Sequence, residues 1–447
     1  MSHLIPSSIL PLVVPVLCAV VIVLVLPLLA GYIVLVERKV MAGMQARLGP
    51  MRVGPHGLLQ PIADALKLVL KEDIIPARAD KVMFWLAPLV SVTMALLAYS
   101  ALPIGPAFQI ADLNVGLLFI VAVSSLGIYG IVLGGWASNS HYSLLGAMRS
   151  AAQLVSYETA GGLALASVLL LAGSLSMKDI VQAQLDQGIW FAFYVPFGFF
   201  IYLVASIAET NRAPFDLPEA DSEIVAGYMT EYSGFRWSLY FLAEYANMII
   251  VAGIATTLFL GGWLRPLARY RDHFPGTSVE LLDAVPPLLA LAVALYCFHL
   301  APKQPVKIQK LVMAGAGGAC AVVALALAGA LFAPASVMQG VHGAFWFLLK
   351  VFTYIYAFMW FRFTFPRYRF DQLMRLGWRF LIPLALVNVI GVGIAIVLRE
   401  QFDWNPFLSL VPTTLATLGV AMWLVNNDAP AAAANLEATI AQSGDGE

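Results

Sequence analysis

Apolar residues run through this chain in long blocks parted by short polar connections, with little of the alternation that marks strands. A helix that crosses a hydrocarbon layer needs about 20 mainly apolar residues. Eleven stretches qualify: roughly 9–36, 82–103, 113–135, 151–172, 190–208, 239–263, 280–300, 311–333, 344–363, 379–398 and 405–425. The pattern predicts an all-α, polytopic transmembrane bundle with about 11 spans.

The first long connection carries its own pattern. Gly49-Pro50 and Gly54-Pro55 are turn signals. Leu58, Ile62, Leu66 and Val69-Leu70 then recur at helical spacing, which predicts a short amphipathic helix at the membrane surface. An ordinary surface helix fits the same spacing. The preceding Gln45–Pro50 segment is too polar for lipid, so protein is expected to cover it. Small-residue pairs inside spans, Gly130 with Gly134 and Gly161 with Gly162, are read as close helix packing.

Composition fixes the class. Of 447 residues, 61% are hydrophobic and 11% charged, with mean hydropathy +0.84; a soluble domain carries about 25% charged residues. Cys18, Cys297 and Cys320 all lie in apolar runs without CxxC spacing, which argues against a disulfide framework or iron–sulfur ligation. The first run has no basic residues before it and ends in Glu37-Arg38-Lys39 without a small-residue cleavage site, so it is read as a retained span. With the N-terminus outside, the inside connections hold nineteen Lys and Arg and the outside ends five, a strong bias for that orientation. One transmembrane domain, 1–427, is expected, followed by an Ala-rich disordered cytoplasmic tail, 428–447.

The polar chemistry gathers in Glu209–Tyr232, which holds Glu209, Asp216, Glu219, Asp221, Glu223 and Glu231 beside a single base, Arg212. Asp216 fits an N-cap, Pro218 a first turn and Glu219 a capping-box position. Glu219 and Glu223 would share one helical face, with Glu231 two turns beyond. Capping accounts for the first acids but not for a series that continues to Glu231 and Glu244. Glu158 sits inside the fourth span, where a carboxylate costs roughly 2.5–3.5 kcal/mol, so it should face the bundle interior. A structural hydrogen bond is the plainer reading of it. Glu244 and Lys350 also fall in apolar segments, and pairing would lower the cost of both. Carboxylates crowded together have raised pKa values and can pass protons. Glu158, Glu209, Glu223, Glu231 and Glu244 are therefore read as a proton relay.

Arg367, Arg369, Arg375 and Arg379, interleaved with aromatics, suit anionic lipid head groups or a cytoplasmic partner. The chain has no phosphate-binding loop, no histidine pair at metal-ligand spacing and no nucleophile–base pattern; no cofactor, metal or nucleic acid is expected on it.

Two long motifs then become recognisable. The run Glu37-Arg38-Lys39…Met44-Gln45-Ala-Arg47-Leu-Gly-Pro50, continuing through Gly57-Leu-Leu-Gln-Pro61-Ile-Ala-Asp64 to Lys71-Glu72, resembles the first cytoplasmic loop of the H subunit of NADH–quinone oxidoreductase (respiratory complex I). Glu209-Thr-Asn-Arg212-Ala-Pro-Phe-Asp216-Leu-Pro-Glu219 resembles that family's third cytoplasmic loop. Gln153–Glu158 and Pro366–Arg375 add shorter matches in the same order.

The resemblance implies eight family helices that anchor the hydrophilic arm and form the membrane part of a quinone chamber, with about three further spans here. It implies quinone as substrate, with flavin and iron–sulfur clusters in partner subunits. Those partners would be the hydrophilic quinone-site subunits and neighbouring small membrane subunits, in a bacterial plasma membrane with the motif loops cytoplasmic. Gln45, Arg47, Pro50, Arg52, Arg212 and Phe215 would border quinone access. Glu158, Glu209, Glu219, Asp221, Glu223, Glu231 and Glu244 would lead into the proton path.

Met51 stands where the family has Asn, and Asp221 where it has Glu. The segment 265–343, with two extra spans, reads as an insertion, and the span at 405–425 is additional. An anchor subunit of a membrane-bound hydrogenase or related dehydrogenase is the alternative function. A free-standing transporter fits less well, because the inside connections are long and polar and no inverted repeat is visible.

Overall fold

The computed structural model describes residues 10–106, 108–216, 226–266, 278–304, 306–332, 335–402, 410–424 and 426. The fold is an all-α polytopic bundle. Nine described helices are long and apolar enough to cross a membrane, and two shorter apolar helices, Pro196–Glu209 and Leu410–Leu424, lie at the remaining predicted stretches.

Helix α1 (Leu10–Met44) outruns its apolar block and carries Glu37-Arg38-Lys39 on helical backbone. Leu26, Ala30, Ile33 and Glu37 follow one another at steps of four and three, and all four are buried on one stripe. The next loop is tight: Gly54, His56 and Gly57 have φ of 73°, 51° and 78°. A Cβ at Gly57 would lie 2.2 Å from the Pro50 carbonyl oxygen, so only glycine fits. Helix α2 (Gln60–Leu70) follows at the predicted place. Pro61 packs on Gly31, and Arg38 pairs with Asp64 at 2.9 Å. Ile62, Leu66, Val69 and Leu70 are exposed.

Asp80 caps α3 (Lys81–Ala98) by accepting from the Val82 and Met83 amides at 3.0 and 3.2 Å. Helix α4 (Gly116–Ala137) passes close to α3, since a Cβ at Gly130 would meet Ser91 Oγ at 2.1 Å. Helix α5 (His141–Ala172) ends at left-handed Gly173. Of the paired glycines in α5, Gly161 faces Ala205, while Gly162 has no described residue of this chain packed over it.

Helix α6 (Met177–Gln187) lies in a segment the apolar pattern leaves as a connection. Its signals are short-range ones: Ser176 at the N-cap position, Asp179 in the first turn and left-handed Gly188 at the end. The fifth apolar stretch is split into α7 (Phe191–Tyr194) and α8 (Pro196–Glu209), with Pro196 opening the second piece.

Helix α9 (Gly234–Phe259) is the axis of the bundle: from Tyr245 to Phe259 only Asn247 is not fully buried. It packs against α1, α2, α3, α8 and α12 (Ala335–Thr364). Between them α10 (Ser278–Leu300) and α11 (Lys307–Ala330) form a hairpin whose members pack on each other and lean on α12. Helix α11 also touches the Pro55–Gly57 turn. Helix α13 (Phe370–Phe402) contains a π-type turn at Leu376–Leu381 and packs on α5. Helix α14 (Leu410–Leu424) sets Thr413 against Gly391 of α13. The predicted tail 428–447 lies outside the described residues.

Candidate functional site

The polar residues of the bundle meet at one end of α9, where the loop after α8 turns inward. Gln153 of α5 holds that loop, donating to the Ala208 and Phe215 carbonyls at 2.9 Å each. Asn211 takes left-handed φ (49°), and the Arg212 amide reaches back to the Ile207 carbonyl at 3.2 Å. The loop is thus bent so that Arg212 points into the bundle.

There Arg212 meets Glu37 of α1. Its Nη1 lies 3.5 Å from Glu37 Oε1 and 3.3 Å from the Tyr245 hydroxyl, and its guanidinium stands 4.1 Å from the Tyr245 ring centroid. Tyr245 donates to Glu37 Oε2 at 2.6 Å, and Arg362 of α12 pairs with Glu37 Oε1. Burial works against the charge of Arg212, but Tyr245, Glu37 and Glu244 outweigh it and hold the guanidinium above its ordinary pKa. Two of its nitrogens, Nε and Nη2, are buried with no hydrogen-bond partner among the described residues. Glu37 is thus one carboxylate shared by two arginines. The group borders a cavity of about 400 Å³, lined also by Arg38, Trp237, Phe241 and Glu244.

Glu244 faces two ways. It also lines a second, smaller cavity of about 50 Å³ together with Glu158 and Glu209, room for a few waters. Tyr228 donates to Glu244 Oε1 at 3.0 Å, and Ser125 donates to Glu158. A third space, an apolar groove of about 420 Å³, runs between α1, α2 and α9. It shares Val34, Arg38, Trp237 and Phe241 with the 400 Å³ cavity. The polar cavity therefore adjoins the groove through those four residues and the acid cavity through Glu244.

Among the expected relay residues, Glu158, Glu209 and Glu244 come together. Glu231 does not: it lies in a non-helical link between a short turn, Gly227–Met229, and α9, and it borders neither cavity. A helix continuing from Glu223 to Glu231 is thus corrected, because Gly227 takes left-handed φ and the backbone turns there. Glu219, Asp221 and Glu223 lie outside the described residues, as does the helix that Asp216 would cap. Asp216 itself accepts from Arg367 at 3.2 Å.

The expected Lys350–Glu244 pair is not formed. Lys350 donates to the Leu260, Gly262 and Leu264 carbonyls. Leu260 is sixteen residues beyond Glu244, which is about 24 Å along a helix.

The six residues expected at quinone access are dispersed. Arg212 lines the 400 Å³ cavity. Phe215 is packed away against Tyr368 and Tyr157, with ring centroids 5.7 and 5.6 Å apart. Gln45, Arg47 and Arg52 are exposed on the first loop, where Arg47 Nε donates to Gln45 at 2.7 Å, and Pro50 is partly buried beneath Gly57. Sequence reading misses Glu37, Arg362, Tyr245 and Tyr228. Glu37 is discoverable, since it continues the apolar stripe of α1. Among the described residues no cluster of three or more metal-ligating side chains occurs.

Comparison with known proteins covers the same span as the bundle. A family profile described as NADH dehydrogenase matches residues 16–393. The NADH-quinone oxidoreductase H 2 subunit from Solibacter usitatus is 54% identical over 388 residues, covering 85% of this chain and 95% of that protein. The corresponding H 1 subunit from Koribacter versatilis is 50% identical over 379 residues, covering 81% and 87%. The H subunit from Magnetococcus marinus is 42% identical over 370 residues, covering 83% and 88%.

Proposed function

The chain belongs to the NADH dehydrogenase family, and on that premise we propose that it is a membrane subunit of a proton-translocating NADH:quinone oxidoreductase. In this reading it forms the membrane part of the quinone chamber and the start of the path that links quinone reduction to proton movement. Electrons reach the quinone from flavin and iron–sulfur clusters held by hydrophilic partner subunits. The setting is a bacterial cell membrane, with the motif loops on the cytoplasmic side and the inserted hairpin part of the same domain.

The observation that carries the proposal is the adjacency of three spaces of different polarity. The apolar groove between α1, α2 and α9 suits an isoprenoid tail arriving from lipid. The adjoining cavity presents Arg212, Arg362 and Tyr245 around Glu37, and such donors suit the carbonyls of a quinone head. Reducing a quinone takes up two protons with two electrons. Glu244 stands where the polar cavity meets the acid cavity, so a charge change near the head acts first on Glu244 and then on Glu158 and Glu209. Gln45, Arg47, Pro50 and Arg52 border the entrance where hydrophilic partners cover them. Glu219, Asp221, Glu223 and Glu231 are assigned in this reading as further carboxylates of the proton path.

The test is Glu244→Gln in the assembled enzyme in membrane vesicles. Quinone reduction should fall about 10²-fold, while NADH oxidation by a soluble artificial acceptor stays unchanged. Wild-type quinone reduction together with wild-type proton translocation would overturn the reading.

A further inference from the structure

Another buried charge lies far from that site. Lys350, midway along α12, is 8% exposed. Its Nζ donates to the Leu260, Gly262 and Leu264 carbonyls at 2.6, 3.0 and 2.6 Å, and stands 4.6 Å from the Trp190 ring centroid. All three carbonyls belong to the chain leaving α9.

The backbone there is shaped for the purpose. Gly261 and Gly262 have φ of 76° and 54°, and a Cβ at either would come within 2.7 Å of Trp190 or Val181. The Gly262 amide donates to the Thr256 carbonyl at 2.8 Å, closing the helix end. Alternate carbonyls then point at one spot, beyond the negative end of the helix dipole. Three carbonyl oxygens converging at hydrogen-bond distance replace the hydration shell of a small monovalent cation, and the ring face beneath adds cation–π attraction. Directly afterwards Arg265 pairs with Asp283 of α10 at 2.6 Å, which ties the chain leaving the turn to the inserted hairpin.

We propose that Leu260–Leu264 is a carbonyl cradle for a primary ammonium, filled by Lys350 as a built-in ligand, which pins the start of the inserted segment to the core. The proposal is independent of the quinone reading. Methionine at 350 keeps the length but offers no N–H, leaving three buried acceptors without a donor. Alanine empties the cradle and makes room for a small amine.

The experiment uses the full chain in the assembled complex, solubilised in mild detergent. Lys350→Met should lower the thermal midpoint by about 5 °C or more. Lys350→Ala should do the same, and methylammonium should restore most of its loss, whereas tetramethylammonium at equal concentration, having no N–H, should not. A Lys350→Met complex that melts with wild type overturns the proposal, and so does equal action of the two amines on Lys350→Ala. If neither variant accumulates, amine acetylation of the wild-type complex decides. Lys350 should resist the reagent until the complex melts, while exposed Lys307 and Lys310 react at once; labelling of Lys350 at their rate in the native complex overturns the proposal.

Discussion

Glu37 and Lys350 are both charges buried inside an apolar bundle, and their surroundings differ in kind. Lys350 is satisfied by backbone carbonyls, and it borders none of the cavities described above. Glu37 is satisfied by the side chains of Arg212, Arg362 and Tyr245, and a cavity of about 400 Å³ adjoins them. Backbone acceptors fixed by left-handed glycines have one arrangement, so the first site is a fastening. Side chains beside open space have several, so the second can answer to a ligand. Burial of a charge alone does not distinguish the two; the room beside it does.

The contrast is sharpest where Glu37 is removed. Glu37→Ala leaves two arginines and a tyrosine from three parts of the chain without their shared acceptor. Breaking a buried pair from one side costs about 3–5 kcal/mol, so the assembled complex should melt well below wild type. A wild-type midpoint would break the claim that this clamp joins α1, the loop after α8, α9 and α12. A smaller effect is expected from Tyr228→Phe, which deletes the hydroxyl donated to Glu244. Losing a hydrogen bond to a charged group costs about 1.5 kcal/mol, roughly tenfold in quinone reduction if Glu244 must ionise there. An unchanged rate would detach Tyr228 from the site. Least is expected of Asp64→Asn at the mouth of the apolar groove, because the Arg38–Asp64 pair is substantially exposed. Its loss should cost no more than about 1 kcal/mol, within a few degrees of midpoint; a larger shift would mean that solvent is excluded there in the complex.

The bundle is legible in the sequence because crossing a membrane demands a long apolar block, and such blocks stand out in any window. The signal weakens wherever a helix departs from that rule. Helix α6 is too polar for an apolar-block reading, and α7 and α8 are two pieces where the pattern predicts one. For the site, carboxylates inside apolar spans point to Glu158 and Glu244 and the acid-rich stretch to Glu209, which share one cavity; Glu231, near them in sequence, lies outside it. Glu37 escapes such a search because it precedes Arg38 and Lys39 and looks like the charged border of a span. Helical phase puts it with Ile33, not with its neighbours. Pairing Lys350 with Glu244 matches two costly charges without asking how far apart α9 holds them.

One feature of the bundle bears on how well it seals. Glu244 is the side chain common to the polar cavity and the acid cavity. On the proposed reading, two spaces that share one carboxylate hand charge across in single units, each tied to one protonation of that group. A continuous file of water would short-circuit the gradient instead.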